Sequence, residues 1–120
     1  MYCLDTNIVI DILRGDQVLA LKVSALYPVG ITPITLAELF KGTYLAARQE
    51  EGLLLIEDFA TNVDFLPFSK EACRLFGHRY ALLKKDGKLT QDADLMIASI
   101  VLAQNAMLVT RNKKDFVNIK

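Results

Sequence analysis

The apolar runs of this chain are short, and three of them break off at polar residues: Tyr2-Cys3-Leu4 at Asp5, Val29-Gly30-Ile31 at Thr32, and Met107-Leu108-Val109 at Thr110. Runs this brief, bounded by helix signals, have the size of buried strands and not of helices. Asp5-Thr6-Asn7 offers three cap residues ahead of the helical pattern Ile8, Val9, Ile12 and Leu13, which Gly15 closes. Gln17 to Leu26 reads as a second helix, ended by Pro28. Thr32-Pro33 then pairs a cap with a first-turn proline and opens a helix running towards Ala46. Glu50 to Ala60 is amphipathic, Val63 to Leu66 is a strand, and Ser69 caps a helix to Lys85 that stops near Gly87. Thr90 or Asp92 caps a last helix to Ala103. The order βααβααβααβ predicts a parallel sheet with helices on both faces, and in such folds a site forms past the carboxyl ends of the strands.

At 120 residues the chain is expected to form one domain over 1–120. Its longest apolar stretch, Leu95 to Ala103, contains Ser99 and falls far short of the roughly 20 residues that cross a bilayer. No basic segment followed by a long apolar one precedes Asp5, so a cytoplasmic location is expected. Cys3 and Cys73 lack the spacing of a metal or redox motif and read as small core residues. His78 stands without a serine or cysteine partner in a recognisable motif, and no GxGxxG or GxxxxGK[ST] occurs, which argues against triad, dinucleotide and P-loop chemistry. Phe40, Phe59, Phe65, Phe68, Phe76 and Phe116 are spaced like core residues and not as a base-stacking platform. Fourteen basic and fourteen acidic side chains cancel, but residues 1–68 hold four bases and nine acids while residues 69–120 hold ten bases and five acids. This polarity fits either two solvated faces of opposite sign or a basic rim of Lys84, Lys85, Lys88, Arg111, Lys113 and Lys114 for phosphates.

Against that background four carboxylates bear on function. Asp5 directly follows the first strand, where it can cap the helix, a role worth about 1 kcal/mol, or bind a metal or substrate at the sheet edge. Asp94 shares a helical face with Ile97, Ala98 and Val101, so it points inward and needs an arginine, hydrogen-bond donors or a cation. Asp92 falls on the far side with Ser99 and Ala103, as a cap or dipole partner. Glu38 shares a face with Ile34 and Leu45, and Gly42 leaves open space beside it; Thr35 and Glu38 also have capping-box spacing, in competition with Thr32-Pro33. Asp115 follows Arg111, Lys113 and Lys114, as one acid among bases. Convergence of these four acids would destabilise the fold unless a cation joined them. Oxygen ligands without histidine or cysteine suit Mg²⁺ or Mn²⁺, which favour phosphate substrates and nuclease chemistry.

The segments Leu4-Asp5-Thr6-Asn7, Thr35-Leu36-Ala37-Glu38-Leu39 with Gly42, Asp94-Leu95-Met96-Ile97-Ala98, and Leu108-Val109-Thr110-Arg111-Asn112 with Asp115-Phe116 together resemble a PIN domain of the VapC toxin type. The resemblance covers almost the whole chain, in order. It implies an α/β/α sandwich around a short parallel sheet, with Asp5, Glu38 and Asp94 as catalytic and metal-binding acids and Asp115 as a fourth. Many PIN domains place that fourth acid directly after the Thr-Arg pair, where this chain has Asn112, so the number of metals stays open. Thr6, Asn7, Thr110 and Asn112 would orient acids or waters. The resemblance further implies Mg²⁺-dependent hydrolysis of RNA, with Mn²⁺ able to substitute, a homodimer, and an antitoxin of the VapB type whose peptide lies in the active groove. A catalytically silent module that binds RNA or a protein is the alternative. A receiver domain would need adjacent acids after the first strand, and an aspartyl phosphatase a second Asp at position 7; the chain has Asn7.

Overall fold

In the computed structural model, which describes residues 1–111, the sheet is built from strands of two or three residues. These are β1 (Tyr2–Leu4), β2 (Val29–Ile31), β3 (Asp64–Phe65) and β4 (Met107–Val109). Between them run α1 (Thr6–Leu13), α2 (Gln17–Ser24), α3 (Pro33–Tyr44), α4 (Gln49–Thr61), α5 (Lys70–Lys85) and α6 (Asp92–Ala103). The predicted order of elements is the observed one. The strands lie in the order β3-β2-β1-β4 and every pairing is parallel. Gly15 and Gly87 take the left-handed backbone after α1 and α5, at φ +99 and +68, which ends each helix without a Cβ clash.

Because strand side chains alternate, β1 and β4 each feed two cores. Tyr2 and Leu4 of β1, Val29 and Ile31 of β2 and Val109 of β4 pack with α1 to α4 through Ile8, Val9, Val23, Leu39 and Ile56. Cys3 and Leu108 point to the other face, where Ala72, Ile97, Ile100 and Val101 of α5 and α6 meet them. The result is the expected three-layer α/β/α sandwich. Gly30 of β2 allows the close approach of its neighbour, since a Cβ there would stand 3.1 Å from Leu66 Cγ and 3.3 Å from the Asp64 carbonyl.

Four local expectations need correcting. The third strand is only Asp64–Phe65, and Phe65 is exposed, as an edge strand of two residues has little to pack against. Cys73 is exposed, because it lies on the outer face of α5 while Ala72 beside it fills the core. The residue at the cap position of α6 is Gln91, with no side-chain cap bond, so neither Thr90 nor Asp92 caps that helix. Ser99 is fully buried, donating to the Leu95 carbonyl at 2.7 Å. The far side of α6 is covered because Leu95, one turn before Ser99, packs with Leu83, Phe76 and Tyr80 of α5, while Ile97, Ile100 and Val101 meet the sheet.

Burial and the negative charge of Asp5 push the Cys3 thiol up to about 12, which keeps it protonated and unreactive. A thiol reagent applied to the native protein at mildly alkaline pH should modify Cys73 alone, and Cys3 only once denaturant is added; a mass spectrum of the native reaction counts the adducts.

Candidate functional site

The register places Leu4 level with Val109, and β1 lies between β2 and β4. Asp5, Thr32 and Thr110, which leave these three strands, therefore come together at the carboxyl edge of the sheet. Asp5 is 4% exposed. Its Oδ1 accepts from the Thr6 backbone N–H at 2.8 Å, its Oδ2 accepts from the Thr110 hydroxyl at 2.7 Å, and its own N–H donates to the Val109 carbonyl at 3.0 Å. Capping α1 and standing at the sheet edge are thus one position.

Thr32 resolves the competing helix starts: its hydroxyl accepts from the Thr35 N–H at 3.2 Å and Pro33 occupies the first turn of α3. Glu38 is consequently no member of a capping box. Its Oε1 accepts from the Thr6 hydroxyl at 2.7 Å, and Thr6 Oγ1 lies 3.0 Å from Thr35 Oγ1. Thr6 has a single hydroxyl proton and spends it on Glu38, so Thr35 is the donor of the threonine pair. Thr6 in this way joins the start of α1 to the middle of α3.

Asp5, Glu38 and Asp94 line one cavity of about 330 Å³, with Asn7, Lys41 and Gln91 among the other polar groups on its wall. Asp94 is half-buried in the first turn of α6, over the same face as buried Ile97, Ala98 and Val101. Neither Asp5 nor Glu38 forms an ion pair with a cation among the described residues. Nor do three acidic, histidine or cysteine side chains among the described residues close around one point as a finished metal cage. The carboxylates share a wall, and the donor set is oxygen-rich without histidine or cysteine, which fits a hard divalent cation that keeps much of its own water. Asn112 and Asp115 lie outside the described residues, as do Lys113, Lys114 and Phe116.

Two cations bear on the alternatives left open by the charge pattern. Arg111 does not stand free in a phosphate-binding rim: its Nη1 is 2.8 Å from Asp11 Oδ2 and its Nη2 is 3.2 Å from Asp16 Oδ2. Thr110 and Arg111 therefore fasten both ends of α1, the first at the cap and the second near the last turn. Lys41, which the sequence reading counted only as one of the four bases of the acidic half, stands on the wall of the carboxylate cavity. Its place three residues after Glu38, on the same face of a helix, was the available signal. A second, largely apolar cavity of about 270 Å³ lies between α1, α3 and α4, walled by Ile10, Leu13, Leu39, Leu55 and Ile56; it shares Ile10, Glu38 and Gly42 with the first.

The sequence profile of the PIN domain matches residues 2–120. Ribonuclease VapC1 of Haemophilus influenzae is 35% identical over 123 residues, which cover 99% of this chain and 92% of that protein. Among solved structures, VapBC2 from Rickettsia felis bound to a DNA fragment from its promoter superimposes with a TM-score of 0.91 at 29% identity, over 98% of this chain and 92% of the other. VapBC-5 from Mycobacterium tuberculosis, a member of the VapBC family of toxin-antitoxin systems, gives a TM-score of 0.74 at 28% identity, over 98% and 89%.

Two measurements test the framework of the site. Thr6→Val removes the donor to Glu38 and the acceptor of Thr35, and should cost about 1–2 kcal/mol in denaturant unfolding, most of it recovered by Thr6→Ser. The Leu19 backbone N–H and, after it, Arg111 hold the Asp16 carboxyl below its ordinary 3.8. A carboxyl whose folded value is lowered contributes stability at higher pH and loses it as pH falls through that folded value. Asp16→Asn keeps a cap and removes the charge, so it should lower the melting temperature at neutral pH, with the gap to wild type closing as the pH falls below 3.8.

Proposed function

The chain belongs to the PIN-domain family, and we propose that it is a divalent-metal-dependent endoribonuclease, the toxin of a toxin-antitoxin pair, formed as a single PIN domain over 1–120. The observation that carries this reading is the meeting of Asp5, Glu38 and Asp94, from three distant parts of the chain, on the wall of one cavity. The names of the relatives, ribonuclease in one case and a toxin-antitoxin system in another, support it.

In this reading Asp5 and Asp94 hold Mg²⁺, for which Mn²⁺ substitutes, and Glu38 assists; Asp115 is assigned to the same cluster by resemblance alone. Such an ion, when bound, lowers the pKa of a water and neutralises charge on the phosphodiester and its leaving oxygen. The chain's own residues do the rest. The Thr6 N–H and Thr110 hydroxyl fix the orientation of Asp5 by occupying one lone pair on each carboxylate oxygen. Glu38, held at Oε1 by Thr6, takes the proton of the attacking water at Oε2 as the water oxygen bonds to phosphorus. The bond from phosphorus to the leaving ribose oxygen breaks, and solvent supplies that oxygen's proton. Asn7 and Gln91 offer amide groups to water or ribose on the same wall.

The antitoxin, by this reading, lays apolar side chains along Ile10, Leu13, Leu39, Leu55 and Ile56 and brings a cation to the adjoining acids, since the apolar and acidic cavities share a border. A homodimer working in the cytoplasm, where RNA is at hand, completes the proposal.

Purified protein freed of antitoxin should cleave total RNA in Mg²⁺, stop on addition of EDTA, and lose roughly a hundredfold or more of its rate on Asp5→Asn. Cleavage that survives both treatments would reject the metal mechanism. A folded protein that binds neither Mg²⁺ nor Mn²⁺ at millimolar concentrations would instead be a silent binding module.

A further inference from the structure

We propose that Lys41 binds a phosphate of the RNA beside the carboxylate cavity and so positions the substrate; this rests on the ribonuclease reading above. Lys41 lies three residues beyond Glu38 on α3, on the wall that also carries Asp5 and Asp94. An ammonium set among carboxylates ordinarily closes an ion pair, yet among the described residues no acid lies within the 4.0 Å of a salt bridge from Lys41. The side chain is exposed, so its charge is available to a ligand from solvent.

A cation in the last turn of a helix also complements the helix dipole, and Lys41 occupies the last turn of α3. The dipole accounts for a base at the end of the helix, but every face of that turn would serve it equally. It does not account for the base being on the face that lines the acids. A polyanion approaching three carboxylates is repelled unless positive charge on the same wall offsets them. Arg111 is engaged by Asp11 and Asp16. Among the described residues, Lys41 is the cation that lines this cavity. A lysine suits the task, being a point charge on a flexible stem that binds phosphate without fixed bidentate geometry.

The experiment compares Lys41→Gln and Lys41→Arg. Binding of a fluorescein-labelled, mixed-sequence single-stranded RNA is followed by anisotropy across a salt series, without metal, in an Asp94→Asn background. Steady-state cleavage of the same RNA in Mg²⁺ and Mn²⁺ affinity are measured in otherwise wild-type protein. Lys41→Gln should weaken RNA binding and raise KM roughly three- to tenfold, and reduce the slope of log affinity against log salt by about 0.7, the share of one phosphate on a single strand. The kcat should stay within about twofold, as for a group that holds ground state and transition state alike. Lys41→Arg should retain most of the binding.

Unchanged RNA affinity and slope, with Mn²⁺ binding tightened, would overturn the proposal and leave Lys41 as a moderator of the acids. A lowered melting temperature with unchanged RNA affinity would overturn it too, in favour of the dipole role. Wild-type protein that cuts RNA while Lys41→Gln matches it in KM would remove Lys41 alone. Wild-type protein that neither binds nor cuts RNA would remove the ribonuclease reading with it.

Discussion

A buried carboxylate must be paid for with hydrogen bonds, and at Asp5 the donors come from opposite ends of the chain. One is the backbone N–H of the next residue and the other is the hydroxyl of Thr110, 105 positions later. This arrangement exists only if β1 and β4 are neighbours in register, since the parallel ladder delivers Asp5 and Thr110 to the same edge together. Sheet topology, the cap of α1 and the orientation of the first acid are one constraint expressed at three scales. Arg111 strengthens it by tying the exit of β4 to Asp11 and Asp16, so that α1 is held along its length.

Thr6 extends the same logic sideways. It is a helix residue whose hydroxyl reaches across to α3, engaging Glu38 and Thr35 at 2.7 and 3.0 Å. The second acid therefore takes its place from the first helix and not from its own. Two acids on separate elements, each restrained by a threonine, leave the cavity they line polar and open. The neighbouring apolar cavity between α1, α3 and α4 meets it at Ile10, Glu38 and Gly42. A ligand there would touch the carboxylate wall and the apolar packing surface at once.

Most of the fold was readable because its signals are local. Asp5, Thr32 with Pro33, Ser69, Gly15 and Gly87 mark element ends through backbone chemistry that needs no tertiary context. The inward placement of Asp94 followed from helical periodicity, and the edge position of Asp5 from its directly following the first strand. What escaped the sequence depends on neighbours. Ser99 looked outward until α5 covered it, and Cys73 looked buried because apolar flanks do not say which side of α5 meets the sheet. The capture of Arg111 by Asp11 and Asp16 joins residues some hundred positions apart, which no periodicity encodes. Lys41 was invisible in a charge count taken by halves, because its meaning lies in which acids share its wall.

The 105-residue span of the hydrogen bond between Thr110 and Asp5 has a temporal side. A ribosome threads this polypeptide out from its amino end, so Asp5, Glu38 and Asp94 all emerge before the hydroxyl that secures the first of them. A nascent chain lacking β4 has no neighbour on one flank of β1 and one donor fewer on a desolvated acid. Synthesis from the amino end therefore leaves the hydroxyl restraint on Asp5 until after Glu38 and its Thr6 partner are both in place.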